Sequence, residues 1–317
     1  MKKILLVFAV ALMGCTQHNK NVPVIGVADA FEDNTIAQAK KGFFDALAKN
    51  GFSDSAKTIE VIYRNAQGDI PKLTLSVKYF ISQQVTLIAT CPSLSTITAI
   101  QNTKTIPVFM MVSPTPQLMK VSEGDKAPAN LFGVAEDLGY IDTSFALIPK
   151  LLKPKGDKLR VGMIYNQSEP QSAEAVDRMK QLAAQMNIEL IYLPVNNSAD
   201  VQLVTQSLLG KNIDAFFANP DNTVFSSFET IIKACNTANV PVFTSEAGLV
   251  ARGAVAAYGA DIYQWGYQAG EQAVMFLKNK STEGIHWEMV KLRKRVYNPA
   301  AAKQFGITVP PEYTAIQ

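Results

Sequence analysis

Nine carboxylates stand in eight short loops that hold no Lys, Arg or His: Asp29, Glu32, Asp33, Glu136, Asp137, Glu169, Asp221, Glu246 and Asp261. A site for phosphate, sulfate or a dicarboxylate draws on Arg or Lys. These loops suit a ligand that carries an amine, or a neutral one. One ligand carboxylate is still served by free N–H groups at helix starts, aided by hydroxyls and amides. Ser93, Ser95, Thr96, Ser168, Asn222 and Thr223 stand where helices begin, and each can also be a plain N-cap worth about 1 kcal/mol. Phe31, Tyr165 and Tyr258 stand at strand ends, where a ring lines a pocket or packs into the core.

Cys91, at a strand-to-helix turn, is the residue on which an enzyme would depend. Its counterpart later in the chain is Asn219, and Cys235 falls within a helical run, so a two-thiol mechanism has no second member. With two His, at 18 and 286, and three Cys, the chain lacks the means for a multi-His metal site, a Ser-His-Asp triad or a disulfide framework. No Walker-type Gly-Lys-Ser/Thr occurs. The expectation is a binding protein without metal or other cofactor.

Those loops need elements to hold them, and the chain supplies the same set twice. Pro23–Ala28 is a short β-type run, and Thr35–Asn50 then shows helical spacing of Ile36, Ala39, Phe43, Phe44 and Leu47. Arg160–Ile164 followed by Gln171–Asn187 repeats that unit, with Gly26 falling on Gly162. Val61-Ile62-Tyr63 matches Leu190-Ile191-Tyr192, and helical runs over 69–84 and 200–211 follow, with Asp69 and Asp200 read as caps. Third strands over 85–89 and 213–217 run into turns with Pro92 and Pro220, and the fourth strands, Ile106–Phe109 and Val240–Phe243, are nearly identical. Alternating strands and helices imply βαβ units and parallel sheets. Two copies imply two α/β lobes, each a doubly wound, Rossmann-like sheet, facing each other across the carboxyl ends of their strands. Trp265, inside the helical run 264–278, reads as a core residue.

With 48% hydrophobic and 18% charged residues, the 317-residue chain is globular and long enough for two domains. A net charge of +3 is too balanced to argue for nucleic acid or an anionic surface. Met1-Lys2-Lys3 followed by the uncharged run Ile4–Met13 has the form of a secretory leader and is too short to span a bilayer, which needs about 20 residues. It ends in Leu12-Met13-Gly14-Cys15, which resembles a bacterial lipobox. Residues 1–14 are therefore expected to be a signal peptide, Cys15 the acylated (palmitate-type) anchor, and 15–22 a polar tether. Anchored by lipid alone, the body would work outside the cytoplasm on a bacterial membrane.

From Val24 to Pro311 the chain resembles ABC-transporter substrate-binding proteins of the type I periplasmic-binding-protein fold, and within them the lipoproteins with tryptophan- and tyrosine-binding members. Asn65–Asp69, Tyr165–Ser172, Asp221–Val224 and Tyr258–Asp261 carry the likeness. The resemblance implies a monomer that serves an ABC permease and its ATPase in amino-acid transport. It also implies a three-segment hinge near Asp137, Gly259 and Gly284–Glu288, which divides the chain into 23–136 with 261–285 and 138–258 with 288–317. The ligand it implies is aromatic. Its carboxylate would meet the helix starts at Ser93–Thr96 or at Ser168, Asn222 and Thr223, and its ammonium Asp29, Glu246 or Asp261. Its ring would lie against Phe31, Tyr165 or Tyr258, and Glu32 and Glu169 complete the candidate lining. The alternatives are a sugar or nucleoside in a re-cut pocket, or a ligand-sensing domain that speaks to a receptor.

Overall fold

The computed structural model describes residues 22–316; Cys15, the leader before it and nearly all of the tether lie outside the described residues. The first run of elements is β1 (Val24–Asp29), α1 (Asn34–Lys49), β2 (Glu60–Asn65), α2 (Ile70–Ser82), β3 (Leu87–Cys91), α3 (Ser93–Asn102), β4 (Val108–Pro114) and β5 (Leu131–Glu136). The second is α4 (Gly139–Phe145), α5 (Ile148–Leu151), β6 (Leu159–Asn166), α6 (Pro170–Gln185), β7 (Ile188–Val195), α7 (Val201–Leu209), β8 (Ala215–Ala218), α8 (Asn222–Ser226), α9 (Phe228–Thr237), β9 (Val242–Thr244), α10 (Ala247–Val250) and β10 (Ala256–Ala260). The chain ends with α11 (Ile262–Asn279), β11 (Glu288–Met289), β12 (Arg293–Tyr297), α12 (Pro299–Gln304) and β13 (Thr314–Ala315).

The first sheet has the order β11-β5-β4-β3-β1-β2, with every pairing parallel. Its central strands are covered on both faces, which is why β1, β3 and β5 are buried along their whole length and read as unbroken apolar runs. The order reverses between β1 and β3, the switch point outside which such sheets bind ligands. Asp33 opens α1 by accepting from Thr35 N and Ile36 N, and Asp69 opens α2 by accepting from Lys72 N. Asp200 precedes α7 without capping it; its carboxylate accepts from Asn196 N instead.

The second sheet, β7-β6-β8-β9, is also parallel. The last strand of this half joins a separate sheet: β10 pairs antiparallel with β12, which β13 extends. The third passage between the halves also comes later than expected. β11 takes the free edge beside β5, and Val290 N donates to Ala135 O, so residues 288–290 belong to the first sheet and the crossing falls between Val290 and Arg293. One buried cluster spans both halves, from Ile25, Phe43 and Phe109 through Trp265 to Phe225 and Phe228, while a second fills the other side of the β6 sheet around Phe145, Met163 and Phe217. The halves therefore meet over a shared surface, and the carboxyl ends of β1, β3 and β4 look across at those of β6, β8 and β9.

Candidate functional site

Where the halves meet they line a partly open cavity of about 50 Å³, room for a few waters. Ile36, Ser93, Val112, Ser113, Pro114 and Trp265 line it from the first half. Leu138, Tyr140, Gln171, Asn222, Phe225 and Glu246 line it from the second, with Glu136 and Asp137 at the hinge. A larger groove of about 480 Å³ lies outside it, walled by Phe31, Ile70 and Leu94 on one side and by Asn166, Ser168, Glu169 and Asn196 on the other. Asn222 lines both.

A register shift in β4 between Met110 and Ser113 turns this stretch toward the cavity and puts Val112 at φ 48°. A β-branched residue is strained there, and such strain collects at functional sites. Trp265 is held by its indole N–H, which donates to Val134 O at 2.7 Å, leaving the ring as cavity wall.

The wall between cavity and groove is a cross-lobe amide arrangement. Asn222 Nδ2 donates to Ser93 Oγ at 3.0 Å and to Glu169 Oε2 at 2.7 Å. Gln171 Nε2 does the same, at 3.4 and 2.7 Å. Glu169 also accepts from Asn222 N and from Thr223 Oγ1. So the carboxylate of the second half aims two amides at one hydroxyl of the first. Burial, and then the neighbouring Asp221, push the Glu169 carboxyl well above its usual range. α3 has no side-chain cap, since Pro92 stands at its start; Ser95 N and Thr96 N donate to Pro92 O, which leaves the N–H groups of Ser93 and Leu94 for an acceptor. Arg252 ties the halves a second time, donating to Asp33 Oδ2 at 2.5 Å and Thr35 Oγ1 at 3.2 Å while also bonding Phe225 O and Glu229.

Of the residues singled out in the sequence, Ser93, Asn222 and Glu246 line the cavity. Phe31, Ser168, Glu169 and Thr223 line the outer groove. The others stand elsewhere. Asp29 is bound by Lys40 and Tyr63, and Asp261 caps α11 and pairs with Lys294 at 2.9 Å. Ser95 donates to Cys91 O, and Thr96 joins Thr90 and Ser113 in a buried hydroxyl chain. Tyr165 meets Tyr192 edge-on, Tyr258 lies under Arg295, and Glu32 is exposed. Burial and the Asp29 charge push the Cys91 thiol well above its ordinary range, the reverse of an activated nucleophile.

The charge inventory changes as well. The loops carry no cation, yet Lys40, Arg252, Arg293 and Lys294 reach in from α1, from beyond α10 and from β12 to meet Asp29, Asp33, Glu136 and Asp261. Glu169, Asp221 and Glu246 are the buried loop acids without a basic partner among the described residues. Sequence reasoning missed Tyr140 and Gln171; it put Trp265 in the core, where the residue does stand, and did not foresee that the ring also lines the cavity. Tyr140 had one signal to offer: it stands just past the first crossing, where side chains face both halves.

Comparisons with known proteins converge on one family. Its model, described as ABC transporter substrate binding protein, matches residues 24–315. A tyrosine-binding protein of Clostridioides difficile (strain R20291) is 33% identical over 288 residues, 86% of this chain and 82% of that one. The crystal structure of an ABC domain from Streptococcus pneumoniae in complex with L-Trp superposes with a TM-score of 0.82 at 22% identity, over 93% of this chain and 99% of that one. A ligand-free, open substrate binding protein with adhesive properties from Clostridium difficile, with the same coverage and 27% identity, reaches 0.67.

Proposed function

Because the chain belongs to the ABC transporter substrate-binding protein family, we propose that its cleft captures an aromatic amino acid and hands it to a membrane permease driven by an ATPase. The observation that carries this reading is the lining of the interlobe cavity, where Trp265, Tyr140 and Phe225 supply an apolar, aromatic wall and Glu246 and Gln171 supply acceptors; at about 50 Å³ it takes a ring only when the halves part to admit it. The ring of the ligand stacks within that wall, where aromatic contact adds roughly 0.5–1.5 kcal/mol beyond burial. Its carboxylate lies at the uncapped start of α3 beside Ser93. Closure of the halves about the three crossings is what the permease reads. The tyrosine-binding relative supports the ligand class. Calorimetry with tryptophan, tyrosine and phenylalanine tests it: saturable heat from at least one of them is the expected result. Silence from all three, with a hydroxyl-rich solute binding instead, sinks the aromatic reading in favour of a sugar or nucleoside.

The family works outside the cytoplasm, and no helix among the described residues is long and apolar enough to cross a membrane. We infer that the protein is held at the membrane by acylation of Cys15, after removal of residues 1–14, and acts as a monomer on the tether 15–22. The lipobox-like Leu12-Met13-Gly14-Cys15 supports this. Cys15→Ser is expected to shift the protein from the detergent phase to the aqueous phase, or to leave it unprocessed. A wild-type protein that never enters the detergent phase defeats the anchor.

A further inference from the structure

We propose that Glu246 is the ammonium receptor of the cavity and that it releases a proton to solvent when the ligand's ammonium docks on it. The inference rests on the amino-acid reading above and adds to it a charge-compensation step. Four carboxylates line the cavity: Glu136, Asp137, Asp221 and Glu246. Three are already committed or exposed. Glu136 takes Arg293 on both oxygens, at 2.8 and 2.5 Å. Asp221 accepts four donors: Thr223 N, Val224 N, Asn166 N and Ser172 Oγ. Asp137 is exposed and closes a turn on Gly139 N.

Glu246 differs from all of them. It is buried, and its side chain accepts one hydrogen bond, from Tyr140 Oη to Oε1 at 2.7 Å. The groups around it are Tyr140 from α4, Glu136 from the end of β5, Trp265 from α11, and Thr244 and Ser245 from its own loop. The Arg293 guanidinium nearby is already taken by Glu136. An isolated carboxylate in such a place is costly and holds its proton instead. Burial raises the Glu246 carboxyl to about 8, the Tyr140 hydroxyl pulling it down and the Glu136 charge pushing it up. An arriving ammonium supplies the missing countercharge. The step is a simple exchange: the ligand keeps its three N–H bonds, the Glu246 O–H bond breaks, the proton goes to water, and the carboxylate pairs with the ammonium. A second acceptor stands ready for the remaining N–H groups, because Gln171 Oε1 is buried, lines the same cavity and has no hydrogen-bond partner among the described residues.

The measurement is calorimetry of the bound aromatic amino acid in buffers of different ionisation heat, with wild-type protein and Glu246→Gln. Wild type is expected to release between about half a proton and one proton per ligand at pH 7, and its affinity to fall roughly five- to tenfold from pH 7 to pH 6. Glu246→Gln is expected to lose both the proton release and the pH dependence, and to bind more weakly at pH 7. The desamino analogue, an arylpropionate, should release no proton from wild type. Tight binding of the amino acid with no proton release overturns the role of Glu246 and leaves the ligand class standing. No binding by any amino acid overturns both. Should Glu246→Gln fail to fold, Tyr140→Phe serves in its place: losing the one hydrogen bond to this carboxyl is expected to move the pH at which affinity falls upward, and an unmoved pH dependence overturns the role of Glu246.

Discussion

Replacing Gly266 by alanine is expected to destabilise the protein by about 3 kcal/mol, at the upper end of the usual cost of overpacking. α1 and α11 cross with their backbones nearly touching. A Cβ on Gly266 would stand 1.8 Å from Ala39 O and 2.5 Å from the Ala39 carbonyl carbon, and one on Gly42 would stand 2.1 Å from Tyr263 O. These neighbours are helix backbone, so the strain cannot be relieved by turning a side chain. The helices must separate, and Ala39, Phe43, Ala269 and Ala273, all fully buried beside the crossing, lose contact together. Chemical or thermal unfolding followed by circular dichroism reads the effect. Gly156→Ala is the control, since its Cβ meets nothing within 4 Å and exposed substitutions of this kind stay within about 0.5 kcal/mol. Equal midpoints for the two variants would refute the crossing.

The second large effect belongs to Trp265. Its side chain is 4% exposed, makes the bond to Val134 O and forms cavity wall. Trp265→Ala removes a buried aromatic at a cost of about 3–5 kcal/mol in stability. It also takes a ring from the ligand's surroundings, so affinity for an aromatic amino acid is expected to fall at least tenfold, on the order of 1.4 kcal/mol. Trp265→Phe keeps a ring and gives up the indole donor, so it should recover most of the affinity and only part of the stability. Denaturant titration together with calorimetry separates the two losses. An alanine variant that binds as wild type does would remove Trp265 from the site.

Much of the fold was legible because parallel sheets covered on both faces demand unbroken apolar strands, and the strand-helix period recurs in order in both halves. What escaped was carried by contacts between distant parts of the chain. β11 is two residues long and has no pattern of its own; its place is fixed by the open edge of β5. The β4 bulge that aims Val112 at the cavity leaves no mark in composition. Half of the candidate site was legible. Ser93, Asn222 and Glu246 follow from the rule that ligands sit beyond strand ends. Helical spacing places Trp265 on the inner face of α11, but it does not tell a packed core from a cavity wall. Counting charges loop by loop overstated the negative field, because Arg252 and Arg293 arrive from segments far away in sequence.

The docking of α11 on α1 also fixes the order in which the chain can set. The β6–β9 sheet lies within one stretch, from Leu159 to Thr244, and has all its strands once that stretch has been synthesised. The sheet that begins at Val24 waits for Ile262–Asn279 to cover α1 and for Glu288–Met289 to close its edge. On the ribosome, or emerging from a translocation channel amino end first, the sheet that starts first is thus completed after the β6–β9 sheet. Its early strands stay without their final cover until almost the whole polypeptide has appeared.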